Sequence, residues 1–301
     1  MTRSPRRGVV ALALAFASLL PEGARGDQAQ IDRGAYVFAA ADCAACHTDV
    51  KGKGPPLAGG RPLKTPFGIF YSPNITPDPD TGIGRWSDAD FVNALRNGVA
   101  PDGGHLFPVF PYPSFTKMTD QDMLDLKAYL FSLPPVVHPN KEHDVDFPFG
   151  WRFTLGVWKM LNFDAGPYVP DPKQSAEWNR GAYLVQAVAH CGECHTPRGW
   201  LGGLEQSSAF SGTKDGPDGL KVPNITPDKD TGVGSWSQSD LVRVLRTGQL
   251  PDGDFVGPGM GEVVENGTSK LTDADRQAIA VYLATVPPLT GEVKATKPDS
   301  F

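Results

Sequence analysis

Two pentapeptides carry the chemistry of this 301-residue chain: Cys43-Ala44-Ala45-Cys46-His47 and Cys191-Gly192-Glu193-Cys194-His195. C-x-x-C-H is the spacing at which a c-type haem is attached. On a helix, side chains at i, i+3 and i+4 share a face. Two thiols three residues apart can therefore add to the two vinyl groups on one porphyrin edge, while the next histidine presents its imidazole to the iron. The two motifs consume all four cysteines and leave none for a disulfide. Two plainer chemistries compete. A redox dithiol expects a βαβ pattern around its C-x-x-C, and the sequence shows none. A single zinc site built from Cys43, Cys46, Cys191 and Cys194 would join distant parts of the chain and leave His47 and His195 without a purpose. The sequence predicts two covalently bound haem c groups, with His47 and His195 as the proximal iron ligands.

The elements that must position these motifs are written twice. Pro73-Asn74-Ile75-Thr76-Pro77-Asp78 recurs as Pro223–Asp228, and the match runs on through Trp86 and Trp236 to Pro101-Asp102-Gly103 and Pro251-Asp252-Gly253, at a constant offset of 150. Arg-Gly-Ala-Tyr precedes each motif, at Arg33–Tyr36 and Arg180–Tyr183. Such a duplication reads as two copies of one unit. In the first copy, a helix from about Ile31 leads into the motif. Gly34, a poor helix former, points to close approach of another helix. A second helix starts at Ser87 with a loose capping box and stops at Gly98. A third starts at Thr119 and stops at Pro134-Pro135. The second copy repeats the plan from Trp178, Ser237 and Thr272. The predicted fold is all-α: a cytochrome c domain over residues 27–133, a connector over 134–176, a second cytochrome c domain over 177–290, and a frayed polar tail over 291–301. The connector holds Phe149, Trp151, Phe153, Trp158 and Phe163, too much apolar area for a solvated linker. It is predicted to pack as a short helix on one or both domains.

Residues 1–26 read as a secretory signal peptide: Arg3, Arg6 and Arg7, then a short apolar run from Gly8 to Leu20, then Ala24 and Gly26 flanking a cleavage point. The run is short for a membrane anchor, and no other stretch of the mature chain is apolar enough to span a bilayer. Cleavage removes four arginines and one glutamate and takes the formal net charge from −6 to −9. That balance argues against a nucleic-acid partner and suits docking to a basic patch on a redox protein in the periplasm.

The strings RGAYVFAAADCAACHT, PNITPDPDTGIGRW, PDGGHLFPVFPY, FPFGWRF, WNRGAYLVQAVAHCGECHTPRG and PNITPDKDTGVGSW cover most of the mature chain. Through them the chain resembles the c-type cytochrome subunits of periplasmic, membrane-associated dehydrogenases for alcohols, aldehydes and sugar acids. The resemblance implies tandem cytochrome c domains that carry electrons from a dehydrogenase to a cytochrome or oxidase. Members of that family often carry three haems and a C-terminal membrane-binding segment. With two haem motifs and a polar tail, a soluble two-haem shuttle or subunit is the expectation here.

The resemblance also implies a distal methionine on the loop after Pro-Asp-Gly, a ligand that stabilises ferrous iron and raises the potential. Met260 stands in that loop of the second copy, whereas the ungapped alignment places Phe110 at its position in the first. Phenylalanine cannot ligate iron. Three outcomes follow: a substitute from Met118, Met123, Met160 or His105, a five-coordinate iron, or a loop that delivers some other ligand. Each substitute also has a plainer use in packing or in a surface hydrogen bond. Trp86 and Trp236 are candidates to hold haem propionates through their indole N–H groups, as are Arg33 and Arg180. His138, His143 and His190 show no role, and His190 is expected to face away from the site. The chemistry thus predicts electron transfer without substrate transformation. Phe110 keeps open a haem enzyme or small-ligand binder, acting on peroxide or on sulfur or nitrogen species, and more weakly a gas sensor.

Overall fold

The computed structural model describes residues 22–295. The expected leader lies outside the described residues apart from the backbone of its last five, and so do residues 296–301 of the tail.

The first half runs α1 (Glu22–Ala40), α2 (Cys43–His47), a hairpin of β1 (Pro62–Thr65) and β2 (Gly68–Tyr71), α3 (Asp88–Asn97), α4 (Tyr112–Phe115) and α5 (Asp120–Ser132). Then come β3 (Asp144–Val145) and α6 (Thr154–Asn162). The second half runs α7 (Ala176–Tyr183), a π turn over Leu184–Val188, α8 (Gly192–His195), α9 (Gln238–Thr247), α10 (Pro258–Asn266) and α11 (Asp273–Leu283). The fold is mostly helical, and the all-α expectation is corrected by an antiparallel β1–β2–β3 sheet. Strands of four, four and two residues are too short to leave a readable alternation. Phe70 on β2 closes a small cluster with Phe107 and with Leu155 of α6.

Helix starts follow side-chain chemistry. Ser87 and Ser237 each form a full capping box with the aspartate three residues on, and Thr119 and Thr272 each cap the third N–H of the next helix. Gly98 and Gly248 end α3 and α9 in the left-handed region. In each half the first helix crosses the last at a glycine. A Cβ on Gly34 would lie 1.9 Å from the Asp125 carbonyl oxygen, and one on Gly181 would lie 1.9 Å from that of Ala278. Arg33 and Arg180 clamp the same crossings, through paired hydrogen bonds to Asp125 and to Asp275. Both guanidinium groups are tied to protein carboxylates.

The second half carries one residue more than the first between its Arg-Gly-Ala-Tyr and its cysteine motif. The π turn at Leu184–Val188 absorbs it, since a π turn is a one-residue insertion in a helix. A left-handed residue then precedes the first cysteine of each motif, Asp42 at φ 50° and His190 at φ 39°.

The connector is covered along one face. Leu155 is buried, Trp158 donates its indole N–H to the Leu201 carbonyl, and Phe163 packs edge-on against Tyr112. The segment therefore touches both halves. Its outer face leaves Phe153, Val157, Met160 and Leu161 exposed, with Phe147 and Trp151 nearby. The tail, expected to fray after Leu289, is instead bound as far as Ala295: Val293 accepts from the Asn224 N–H, and Ala295 is buried. No helix among the described residues is long and apolar enough to cross a membrane.

Candidate haem sites

Each motif helix is short, and its histidine is oriented from outside it. His47 Nδ1 lies 2.7 Å from the Pro73 carbonyl oxygen, and His195 Nδ1 lies 2.8 Å from that of Pro223. A carbonyl only accepts, so each Nδ1 carries the hydrogen and each Nε2 keeps its lone pair. Burial lowers both imidazole pKa values, partly offset by these bonds, and favours the neutral ring that binds a metal. Such a bond to a ligating imidazole fixes its tautomer and ring plane.

The two prolines begin the repeated string, and a buried network holds them. Asn74 donates to Thr81 and to the Val136 carbonyl while accepting from the Thr76 N–H and hydroxyl. Asn224 does the same with Thr231, the Leu289 carbonyl and the Thr226 N–H. Asp78 and Asp228 accept from Thr81 and Thr231 and close the turn. Gly59 and Gly212 let the chain pass behind this loop, at positive φ, and donate to the carbonyls of His47 and His195. Sequence reading found the strings and missed this purpose. The signal was there: the asparagine, threonine and aspartate recur at identical places in the duplicated segment.

Trp86 and Trp236 are half-buried after this loop. The indoles of Trp158 and Trp178 bond to protein, whereas those of Trp86 and Trp236 meet no protein acceptor among the described residues.

The repeat alignment has a structural counterpart. Val99 bridges His105 as Gln249 bridges Phe255, and the Leu106 N–H donates to the Gly98 carbonyl as Val256 does to Gly248. The register of 150 thus holds to four residues before Phe110 and Met260. Beyond that point Met260 lies in the first turn of α10, whereas Phe110 sits in a turn ahead of α4, and both are half-buried.

The substitute ligands are placed differently. Met160 is 85% exposed on the outer face of α6, and Met118 and Met123 are 0% exposed within the core. His105 Nδ1 sits 3.1 Å from Lys159 Nζ, which also donates to the Asn97 and Gly98 carbonyls at the end of α3. His138 Nδ1 bonds to the Ala58 carbonyl, and His143 Nδ1 accepts from the Tyr71 N–H. His190 does not face away: its Nε2 lies 3.3 Å from the Ala41 carbonyl, across the seam between the halves.

That seam brings the two motifs together. Arg61 donates to the carbonyl of Ala45, inside the first motif, and pairs with Glu262, two residues from Met260. At the position equivalent to Ala45, Glu193 of the second motif accepts from Ser114 of α4 at 2.6 Å and pairs with Arg198. Burial raises the Cys194 thiol to about 12, with further contributions from Glu193 and from Cys46 in the other motif.

These residues fit a covalently held haem: two thiols and a neutral imidazole with a free Nε2, on one short helix, twice. Comparison with known proteins supports the fit. A family model described as cytochrome c matches residues 31–134. A dihaem c-type cytochrome of Cereibacter sphaeroides is 44% identical over 272 residues, 89% of each chain. The chain belongs to the cytochrome c family. This cytochrome is also 42% identical to the fructose dehydrogenase cytochrome subunit of Gluconobacter japonicus over 269 residues, 89% of its own length and 54% of that subunit. It is 40% identical to the cytochrome c subunit of a quinone-dependent alcohol dehydrogenase of Gluconacetobacter polyoxogenes, over 93% of its length and 60% of the relative's. The chain thus spans somewhat more than half of these dehydrogenase subunits. As a member of the family, this cytochrome binds haem c covalently, and the group supplies a one-electron iron couple.

Proposed function

We propose that this cytochrome carries two haem c groups and passes electrons between a dehydrogenase and a downstream cytochrome or oxidase. One group is held by Cys43 and Cys46 with His47 as proximal ligand. The other is held by Cys191 and Cys194 with His195 proximal and Met260 distal. Residues 27–133 and 177–290 form the two cytochrome units, and 134–176 the packed connector. The observation that carries the reading is the pair of histidines with matching Nδ1 bonds, on motif helices locked to each other across one seam. Direct contact across the seam suits electron transfer, because it holds the two motifs close together.

Relatives named as cytochrome subunits of fructose and alcohol dehydrogenases support a dehydrogenase as donor. The exposed apolar face of α6 agrees with a place in a larger assembly. The Arg-rich, apolar start of the chain supports export to the periplasm with cleavage near Gly26. In this reading Trp86 and Trp236 hold propionates.

Reduction of the oxidised holoprotein with a sub-stoichiometric electron pulse tests the reading. The electron is expected to equilibrate between two haems of distinct potential, and then to leave on addition of an oxidised acceptor cytochrome. An electron that stays on the haem it first reaches contradicts it.

A further inference from the structure

We infer that the haem on Cys43 and Cys46 has no protein ligand on its distal side and is a binding site for a small neutral diatomic molecule. The inference rests on the two-haem reading above.

The structure closes the alternatives one by one. Phe110 stands at the position of Met260 in a register supported by matching hydrogen bonds up to Leu106 and Val256. Its ring carries no lone pair for iron. A side chain that ligates a prosthetic group must border the volume the group fills. Met118 and Met123 are enclosed by protein on every side, and Met160 points outward from α6. His105 turns its Nε2 toward Gly156 of α6, His138 stands against Gly60, His143 sits edge-on between the rings of Phe70 and Phe107, and the Nε2 of His190 goes to the Ala41 carbonyl. Apart from the two motif histidines and Met260, each histidine and methionine among the described residues is thus placed against protein or, like Met160, on the outer surface.

The neighbourhood of Phe110 sets the ligand class. Its ring packs 5.6 Å from that of Phe115 and 6.5 Å from that of Tyr112, centroid to centroid. An aromatic wall does not compensate the desolvation of an anion, so it favours an uncharged ligand over azide or cyanide. A neutral π-acceptor such as carbon monoxide or nitric oxide, bound to ferrous iron, fits.

The test is titration of the reduced holoprotein with carbon monoxide, read in the Soret band, for wild type, Phe110→Met and Phe110→Leu. One carbon monoxide per two haems is expected for wild type and Phe110→Leu, and none for Phe110→Met, in which a thioether reaches the iron. None in wild type overturns the inference, and so does one retained in Phe110→Met. Should Phe110→Met not fold, wild type still decides. One carbon monoxide per chain, in a protein whose oxidised form shows a Met–iron charge-transfer band that Met260→Ala abolishes, assigns the open haem to Cys43 and Cys46. Two haems by mass with no carbon monoxide bound defeats the open site alone, whereas fewer than two haems defeats the two-haem reading itself.

Discussion

Tyr36 donates its hydroxyl hydrogen to Asp275, 2.6 Å away in the other half of the chain, and its oxygen accepts from the Thr272 N–H. Tyr183 makes the mirror contact, donating to Asp122 and accepting from the Thr119 N–H. The two Arg-Gly-Ala-Tyr strings thus do three jobs each. The arginine clamps the first helix to the last, the glycine lets them touch, and the tyrosine crosses to cap the last helix of the opposite half.

These crossed tyrosines should hold the seam. A hydrogen bond to a charged group is worth about 1.5–3 kcal/mol. Tyr36→Phe leaves Asp275 still bonded to Arg180, so its cost should fall near the lower figure. The double variant Tyr36→Phe/Tyr183→Phe should lower the melting temperature of the holoprotein by more than either single change and slow electron equilibration between the haems. An unchanged melting temperature in the double variant would remove the seam from the account.

The glycine crossings make a sharper prediction. Gly34→Ala or Gly181→Ala would drive a methyl group into a helix backbone that has no room for it. Overpacking of this kind costs about 1–3 kcal/mol or more. Thermal melts should show the loss for both, while Gly103→Ala, where a Cβ meets nothing within 4 Å, should show only the milder strain of a positive φ. Equal melts for Gly34→Ala and wild type would contradict the helix contact.

The same crossings set the acid limb. Burial pushes Asp275 up, but hydrogen bonds from Arg180 and Tyr36 outweigh it and hold its carboxyl below the usual range. Asp125 is held low likewise, against burial, by Arg33 and Gln121. A carboxyl with a depressed folded pKa contributes stability above its unfolded value, about 3.9, and loses it as the pH falls through the folded value. Melting temperature should hold from neutrality to about pH 5 and fall below about pH 4. In Asp275→Asn it should be lower at neutrality and less steep in acid. A variant with the wild-type acid slope would place the sensitivity elsewhere.

Met260 should set the potential of the second haem. Met260→Ala should abolish the ferric Met–iron charge-transfer band and lower that haem's midpoint, because a thioether favours ferrous iron. An unchanged oxidised spectrum would assign the distal position to another residue.

Much of this was legible in the sequence because the chain repeats itself. Ser87, Thr119, Ser237 and Thr272 start helices as their residue types dictate, and Gly34 signalled a close crossing that the backbone contact with Asp125 explains. The cysteines and histidines stand out by spacing alone, as a duplicated C-x-x-C-H. Partners distant in sequence were not. Nothing local to Arg33 names Asp125, nothing in Tyr36 points to Asp275 some 240 residues away, and His190 looked idle until Ala41 stood beside it. The tail was misread for the same reason, since its hydrogen bonds go to Asn224 and Thr231 rather than to its own neighbours.

The account stands on two haems, each bound through its own pair of cysteines. Intact mass of the exported, purified protein under denaturing conditions measures that directly. The expected result is the processed polypeptide plus two haems, with no thiol open to alkylation. A mass with a single haem, or a cysteine pair that alkylates, would contradict it.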